Sequence, residues 1–346
     1  MRKLVLTIFL LFMLAIPASA SAIVAPPVPD DVEELIPSED WELGNGVITI
    51  LKRALAQMQP QVASGIKTVG QITGIILVFS VIRNMDGKSK SVTDLGCILA
   101  IAYLLLEKSS SMLERSTQTI TDISQYGKLL LPALTAALAA QGGSISAAGL
   151  YSATCIFDAV LSSVISTALV PLVYIFLILS IMNAVTGDEL LAKARNFIKW
   201  AVTWCLKLVL YVFTGYISLS GIIAGGADQT AIKATKLTIS GMIPVVGGIL
   251  SDASETILIS AGIVKNTIGI YGLISVIAIT IIPILEVGVV YLSMKFSFIL
   301  ASVFAPKTIA TLLEDLSSAM GLLMGMIGSV CLLQMISIVC FLKGMS

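Results

Sequence analysis

Long apolar runs separated by short polar patches occupy most of this chain. A run of about 20 mostly apolar residues is what a bilayer-crossing helix requires. The pattern predicts six spans, over residues 61–82, 92–106, 150–182, 200–224, 268–294 and 319–341. Basic clusters follow alternate spans: Arg83, Lys88 and Lys90, then Lys193, Arg195 and Lys199, then Lys295 and Lys307. The positive-inside rule puts these clusters on the cytoplasmic side. Eight spans satisfy the same charge pattern.

Three stretches between the spans break the rhythm. Residues 108–126 are polar, with Leu113, Ile120 and Ile123 on one helical face, which predicts a helix lying at the membrane interface. Residues 129–140 are apolar but short, are interrupted by Pro132 and end at Gly142-Gly143, which predicts a re-entrant hairpin. Residues 236–262 are apolar but studded with Ser, Thr and Gly, break at Pro244 and Gly247-Gly248, and then carry Asp252 and Glu255. Non-helical backbone at membrane depth is tolerated only where protein buries it or water lines it. This stretch is therefore predicted to be re-entrant or pore-facing, with an interfacial pair of amphipathic helices as the alternative.

The N-terminal part has a different character. Residues 1–22 read as a secretory signal peptide, with Arg2 and Lys3 before an apolar core and Ala18-Ser19-Ala20 or Ala20-Ser21-Ala22 as the cleavage site. Residues 23–60 form an extracytoplasmic lead. It is rich in proline and acid as far as Asn45, a composition that cannot bury enough apolar surface to order itself. The lead ends in an amphipathic helix over 47–58, with Ile48, Leu51, Leu55 and Met58 on one face and Lys52 and Arg53 opposite. Residues 61–346 are the polytopic membrane domain. The predicted class is thus an all-α membrane helical bundle with two proline-broken re-entrant or interfacial segments.

Within the membrane domain the order of a proline-broken short segment followed by a proline-kinked long helix occurs twice. Pro132 to Pro171 and Pro244 to Pro283 are both 39 residues apart, giving an internal repeat at a shift of 112. Repeats of this kind build the sites of many transport folds from broken helices. Gly70 and Gly74, Gly221 and Gly225, and Gly321 and Gly325 form small-xxx-small pairs that predict close helix packing. Asp158, Lys207 and Glu286 stand in apolar surroundings, where a charge is expensive and should face the bundle interior or water. They are candidates to line a pore or relay protons; the structural alternative pairs Lys207 with Asp158 or Glu286.

Composition narrows the chemistry. Hydrophobic residues make up 57% and charged residues 12%, against about 25% charged in soluble domains, and the mean hydropathy is +0.99. The formal net charge is zero, with no basic run to suggest nucleic acid. Histidine is absent, which removes Ser-His-Asp and Cys-His catalysis and zincin-type metal sites. The five cysteines lie in apolar stretches without a CxxC and read as packing residues, and no phosphate-binding glycine loop is present. No catalytic, cofactor or metal-ligating residues are predicted, and the chain is not expected to be an enzyme.

The central stretch, from Gly241-Met242-Ile243-Pro244-Val245-Val246-Gly247-Gly248 through Ser251-Asp252-Ala253-Ser254-Glu255, resembles the signature region of the stage III sporulation protein AE family. The resemblance continues through Val264-Lys265-Asn266 and Gly269-Ile270-Tyr271-Gly272-Leu273. It implies a multi-pass protein of the mother-cell membrane around the forespore. It also implies action with the other stage III A operon proteins and stage II protein Q in a channel or secretion-like complex required for endospore formation. The family supplies no catalytic residues to carry over. A stand-alone secondary transporter and a non-conducting scaffold of the same complex are the competing readings, and homo-oligomerisation is left open.

Overall fold

The structure, a computed structural model, describes the backbone of residues 26–29, 32, 34–36, 43–85, 90–140, 144–242 and 247–343. Within these ranges it describes side chains other than those of 43–45, 84–85, 90–91, 144–146, 218–266 and 343. The signal peptide and Pro244 lie outside the described residues. The helices are α1 (Leu43–Gln57), α2 (Gln59–Met85), α3 (Lys90–Ala140), α4 (Ser144–Val164), α5 (Val170–Thr186), α6 (Glu189–Met242), α7 (Gly247–Phe304) and α8 (Lys307–Lys343). A π-helical turn, Ile165–Leu169, joins α4 to α5.

Among the described residues, six helical stretches are long and apolar enough to cross a membrane: Gln59–Arg83, Val92–Ala140, Ala147–Thr186, Glu189–Ile217, Thr267–Phe304 and Lys307–Leu342. They contain or overlap the six predicted spans, and the protein is a polytopic all-α bundle. Helix α8 is its axis, packing on α3, α4, α5, α6 and α7. Leu316, Met320, Leu323, Ile327, Val330 and Leu333 are fully buried along it. Helix α2 runs antiparallel to α3, with Arg83 3.7 Å from Asp94 near one end and Lys108 bonded to Thr68 further along.

The largest departure from the sequence pattern is α3. It does not break at Pro132, which sits inside a continuous 51-residue helix. Proline removes one backbone donor and crowds the preceding turn, yet here the surrounding packing holds the helix through it. Leu131 and Leu134 are buried on either side, and Thr135 returns its hydroxyl to the Leu131 carbonyl at 2.7 Å. The expected re-entrant hairpin at 129–140 and the expected interfacial helix at 108–126 are therefore parts of one rod. The predicted face of the latter is correct: Leu113, Ile120 and Ile123 are buried. They pack into the bundle rather than onto a membrane surface.

Pro171 behaves differently. It occupies the first turn of α5, directly after the π-helical turn, and the wider turn accommodates the ring and the missing donor. Pro283, its counterpart at the shift of 112, lies inside the uninterrupted α7. The turn between α5 and α6 follows ordinary capping chemistry. Gly187 adopts φ +71° at the end of α5, a conformation glycine takes without steric cost. Asp188 Oδ1 then accepts the Leu190 amide at 2.8 Å to open α6.

Two further expectations need correcting. Helix α1 packs against α7 with Ile50 and Ala54 buried, while Ile48, Leu51 and Leu55 of the predicted apolar face are exposed; Met58, just past the helix, is buried as that face predicts. Side chains from two faces are apolar, and burial chose the one with the small Ala54. Gly70 and Gly74 are not at a close helix contact either, since a Cβ at either would meet nothing within 4 Å. The close approach falls at Gly65, where a Cβ would lie 2.6 Å from Ser293 Oγ and 2.9 Å from Val289 Cγ1. A Cβ at Gly321 or Gly325 would meet only ordinary contacts, 3.7 Å to Tyr291 Cε2 and 3.8 Å to Leu206 Cδ1 respectively. The side-chain surroundings of Gly221 and Gly225 lie outside the description.

Candidate functional site

Two polar assemblies stand inside this apolar framework, both built on the middle of α3. The first is fully internal. Asp158 on α4 is 3% exposed. Its Oδ1 accepts hydrogen bonds from Ser124 Oγ of α3 at 3.1 Å and from Gln334 Nε2 of α8 at 3.0 Å. Ser124 and Ser162 hydroxyls are 2.6 Å apart. Since Ser124 spends its one proton on Asp158, Ser162 is the donor of that pair. One turn along, Thr154 of α4 and Ser337 of α8 share a further hydroxyl contact.

Gln334 reaches Asp158 because Gly127 lets it. A Cβ at Gly127 would overlap the Gln334 amide, with the carboxamide carbon only 2.7 Å away. The network thus depends on a glycine of α3, a carboxyl of α4 and an amide of α8. Buried polar groups of this kind destabilise when half satisfied and fix a unique packing when complete. Replacing Asp158 with leucine leaves Ser124 and Gln334 without their acceptor and should cost about 1–3 kcal/mol of stability. Asp158→Asn keeps an acceptor oxygen and should lose less. Unfolding midpoints of the two variants in mixed micelles check this, and equal losses would count against the network.

The second assembly is an open cleft of about 700 Å³ between α2, α3 and α7. Its walls carry Glu107, Lys108, Arg115 and Glu286, with the hydroxyls of Ser64, Thr68, Ser111 and Ser293. Arg115 Nε lies 3.3 Å from Glu286 Oε2, an ion pair joining α3 to α7. Lys108 Nζ donates to Thr68 Oγ1 and lies 3.5 Å from Ser64 Oγ. Gly65, where α2 comes close to Val289 and Ser293 of α7, also lines the cleft.

The three predicted intramembrane charges therefore part company. Asp158 is in the core network and Glu286 in the cleft. Lys207 is exposed on α6, in a shallow depression with Asn196, Lys199, Trp200, Thr203 and Trp204. It pairs with neither acid, so the structural alternative of a Lys207–Asp158 or Lys207–Glu286 pair fails within the chain. Among the central residues, Gly247 and Gly248 open α7, and Asp252 and Glu255 lie in its first turns. Their side chains are outside the description. Pro132 lies within α3, just after Lys128 and Leu129.

Arg115, Lys108, Ser124 and Gln334 were not among the predicted site residues. The polarity of 108–126 was the available signal, but an interfacial reading absorbed it. Gln334 stands alone in an apolar run and only its burial reveals a role.

Against known families, residues 35–344 match the model described as stage III sporulation protein AE. That is most of the chain. The chain belongs to the stage III sporulation protein AE family. It is 28% identical over 204 residues to the stage III sporulation protein AE of Bacillus subtilis (strain 168), covering 59% of this chain and 50% of that protein. The chain thus spans about half the length of the curated relative it matches. No solved structure matches it. Both polar assemblies, like the central stretch, fall within the family region.

Proposed function

We propose that this chain is a membrane-embedded channel or export-apparatus subunit of a transenvelope complex joining mother cell and forespore. Its partners are the other stage III A operon proteins and stage II protein Q, and its location is the mother-cell membrane around the forespore. The observation that carries the reading is the charged cleft among spanning helices. Ionisable groups inside membrane segments are expensive and mark solute or ion pathways, and here four charged side chains share one open space. A scaffold needs only complementary outer faces, and nothing in that role calls for a hydrated interior. The central stretch around Pro244, Gly247 and Gly248, with Asp252 and Glu255, would supply a moving or pore-lining element.

Neutral isosteres test this. Glu286→Gln and Asp158→Asn keep shape while removing negative charge, and both should lower spore yield about tenfold or more at unchanged membrane abundance. A tenfold change corresponds to about 1.4 kcal/mol in the step that uses the charge. Wild-type spore yield from both variants would favour the scaffold.

A further inference from the structure

The outer face of α3 carries a feature that the cleft does not exhaust. From Glu107 to Lys128 every exposed side chain is polar, running through Glu114, Gln118, Thr121 and Gln125. No large apolar side chain in this interval is exposed, whereas Leu99, Tyr103 and Leu106 are exposed before it and Leu129 after it. The interval measures about 32 Å at 1.5 Å per residue, close to the roughly 30 Å of a hydrocarbon core.

Its height in the bundle is fixed by contacts. Ser124 meets Asp158 and Ser162 of α4, and Gly127 lies against Gln334 of α8. At that same height α4 exposes Ile156 (60%) and Val160 (45%), and α8 exposes Leu332 (50%). One side of the bundle is therefore suited to lipid while another, level with it, is not. Its polar groups are only partly served from within: Arg115 pairs with Glu286 and Gln118 donates to Asp122 at 2.8 Å. Glu107, Glu114 and Lys128 form no ion pair among the described residues. A charge left facing hydrocarbon costs several kcal/mol.

We infer that the polar face of α3 lines a water-filled lumen at membrane depth, closed by the same face of further copies of this chain. The charges point to self-association rather than to a charged partner. The interval 107–128 contains three basic residues (Lys108, Arg115, Lys128) and three acidic ones (Glu107, Glu114, Asp122). A neutral face of interleaved signs meets its own copy without net repulsion, whereas a strongly acidic or basic partner gains nothing from it. Water solvates what the copies leave unpaired. The inference deepens the channel reading by naming its wall.

The test uses the full chain in membrane vesicles with the five native cysteines replaced by alanine. Single cysteines are placed at Gln118, Thr121 and Gln125 on α3 and at Ile156 and Val160 on α4. A membrane-impermeant thiol reagent should label the α3 positions at least about tenfold faster than the α4 positions, and a short bifunctional thiol reagent should join Gln118→Cys chains into dimers or higher species. Unreactive α3 positions, equal labelling of α4, or the absence of cross-linked species would each overturn the inference. Labelling needs no sporulating cell. A dry α3 face thus sinks this inference alone, while normal spore yield from the Glu286 and Asp158 variants sinks the channel reading independently.

Discussion

Asp315→Ala is expected to destabilise the bundle by about 3–5 kcal/mol, enough to abolish folding of a marginal membrane domain. Asp315 on α8 and Arg195 on α6 are each 8% exposed and form a direct ion pair. The Nε of Arg195 already lacks an acceptor, so removing the carboxylate leaves a nearly bare guanidinium inside the protein. Desolvation of a charge is repaid only by its partner, which is why deletion of one member hurts far more than replacement of both. The double variant Arg195→Met with Asp315→Leu should accordingly return most of the lost stability. Trp200 and Trp204 lie on α6 shortly after Arg195 and are 6.0 Å apart and stacked, so tryptophan emission during denaturant titration in mixed micelles reports the loss. A single variant as stable as the parent, or a double variant no better than the single, would refute the role of the pair.

That pair also shows what the sequence could and could not disclose. Arg195 was legible as a marker of the basic membrane side, and nearby Lys199 donates to Ser318 at 3.0 Å while Lys295 lies 3.5 Å from Glu314. The partner acids were not legible, because pairing across 120 residues depends on which helix faces meet. The same limit explains Lys207. Its apolar neighbours left the bundle interior and water both open, and only the rotation of α6, which leaves Lys207 exposed, decides.

Span number survived because it rests on summed hydropathy, which packing cannot reverse. Pro132 did not mark a break because proline lowers helix stability by a few kcal/mol, less than the burial of Leu130, Leu131, Leu134 and Leu138 around it can supply. The polar stretch of α3 illustrates a subtler failure. Ser116, Thr117, Thr119 and Thr121 each return a hydroxyl to the carbonyl four residues back. Their polarity is thereby absorbed by their own helix. Average hydropathy counted them as interface residues. The helical phase of Leu113, Ile120 and Ile123 was the better guide, since it named the buried face whatever the surroundings.

The second large effect is expected at a residue with no side chain. Gly127→Ala should destabilise the protein by about 1–3 kcal/mol, although alanine is the better helix former by up to about 1 kcal/mol. The new Cβ would occupy the place of the Gln334 amide. That amide is the far end of a flexible side chain, so it can swing aside and the clash itself is cheap. What it cannot keep is its 3.0 Å hydrogen bond to Asp158, and a buried carboxyl deprived of a donor bears the penalty. The prediction separates steric from polar causes. In a Gln334→Ala background the amide is gone, and Gly127→Ala should become neutral or slightly stabilising. Unfolding free energies of the two single variants and the double variant, taken as a cycle, should show a coupling of at least about 1 kcal/mol. Strict additivity would mean that Gly127 is merely a helix residue and that the α3–α4–α8 network does not act as a unit.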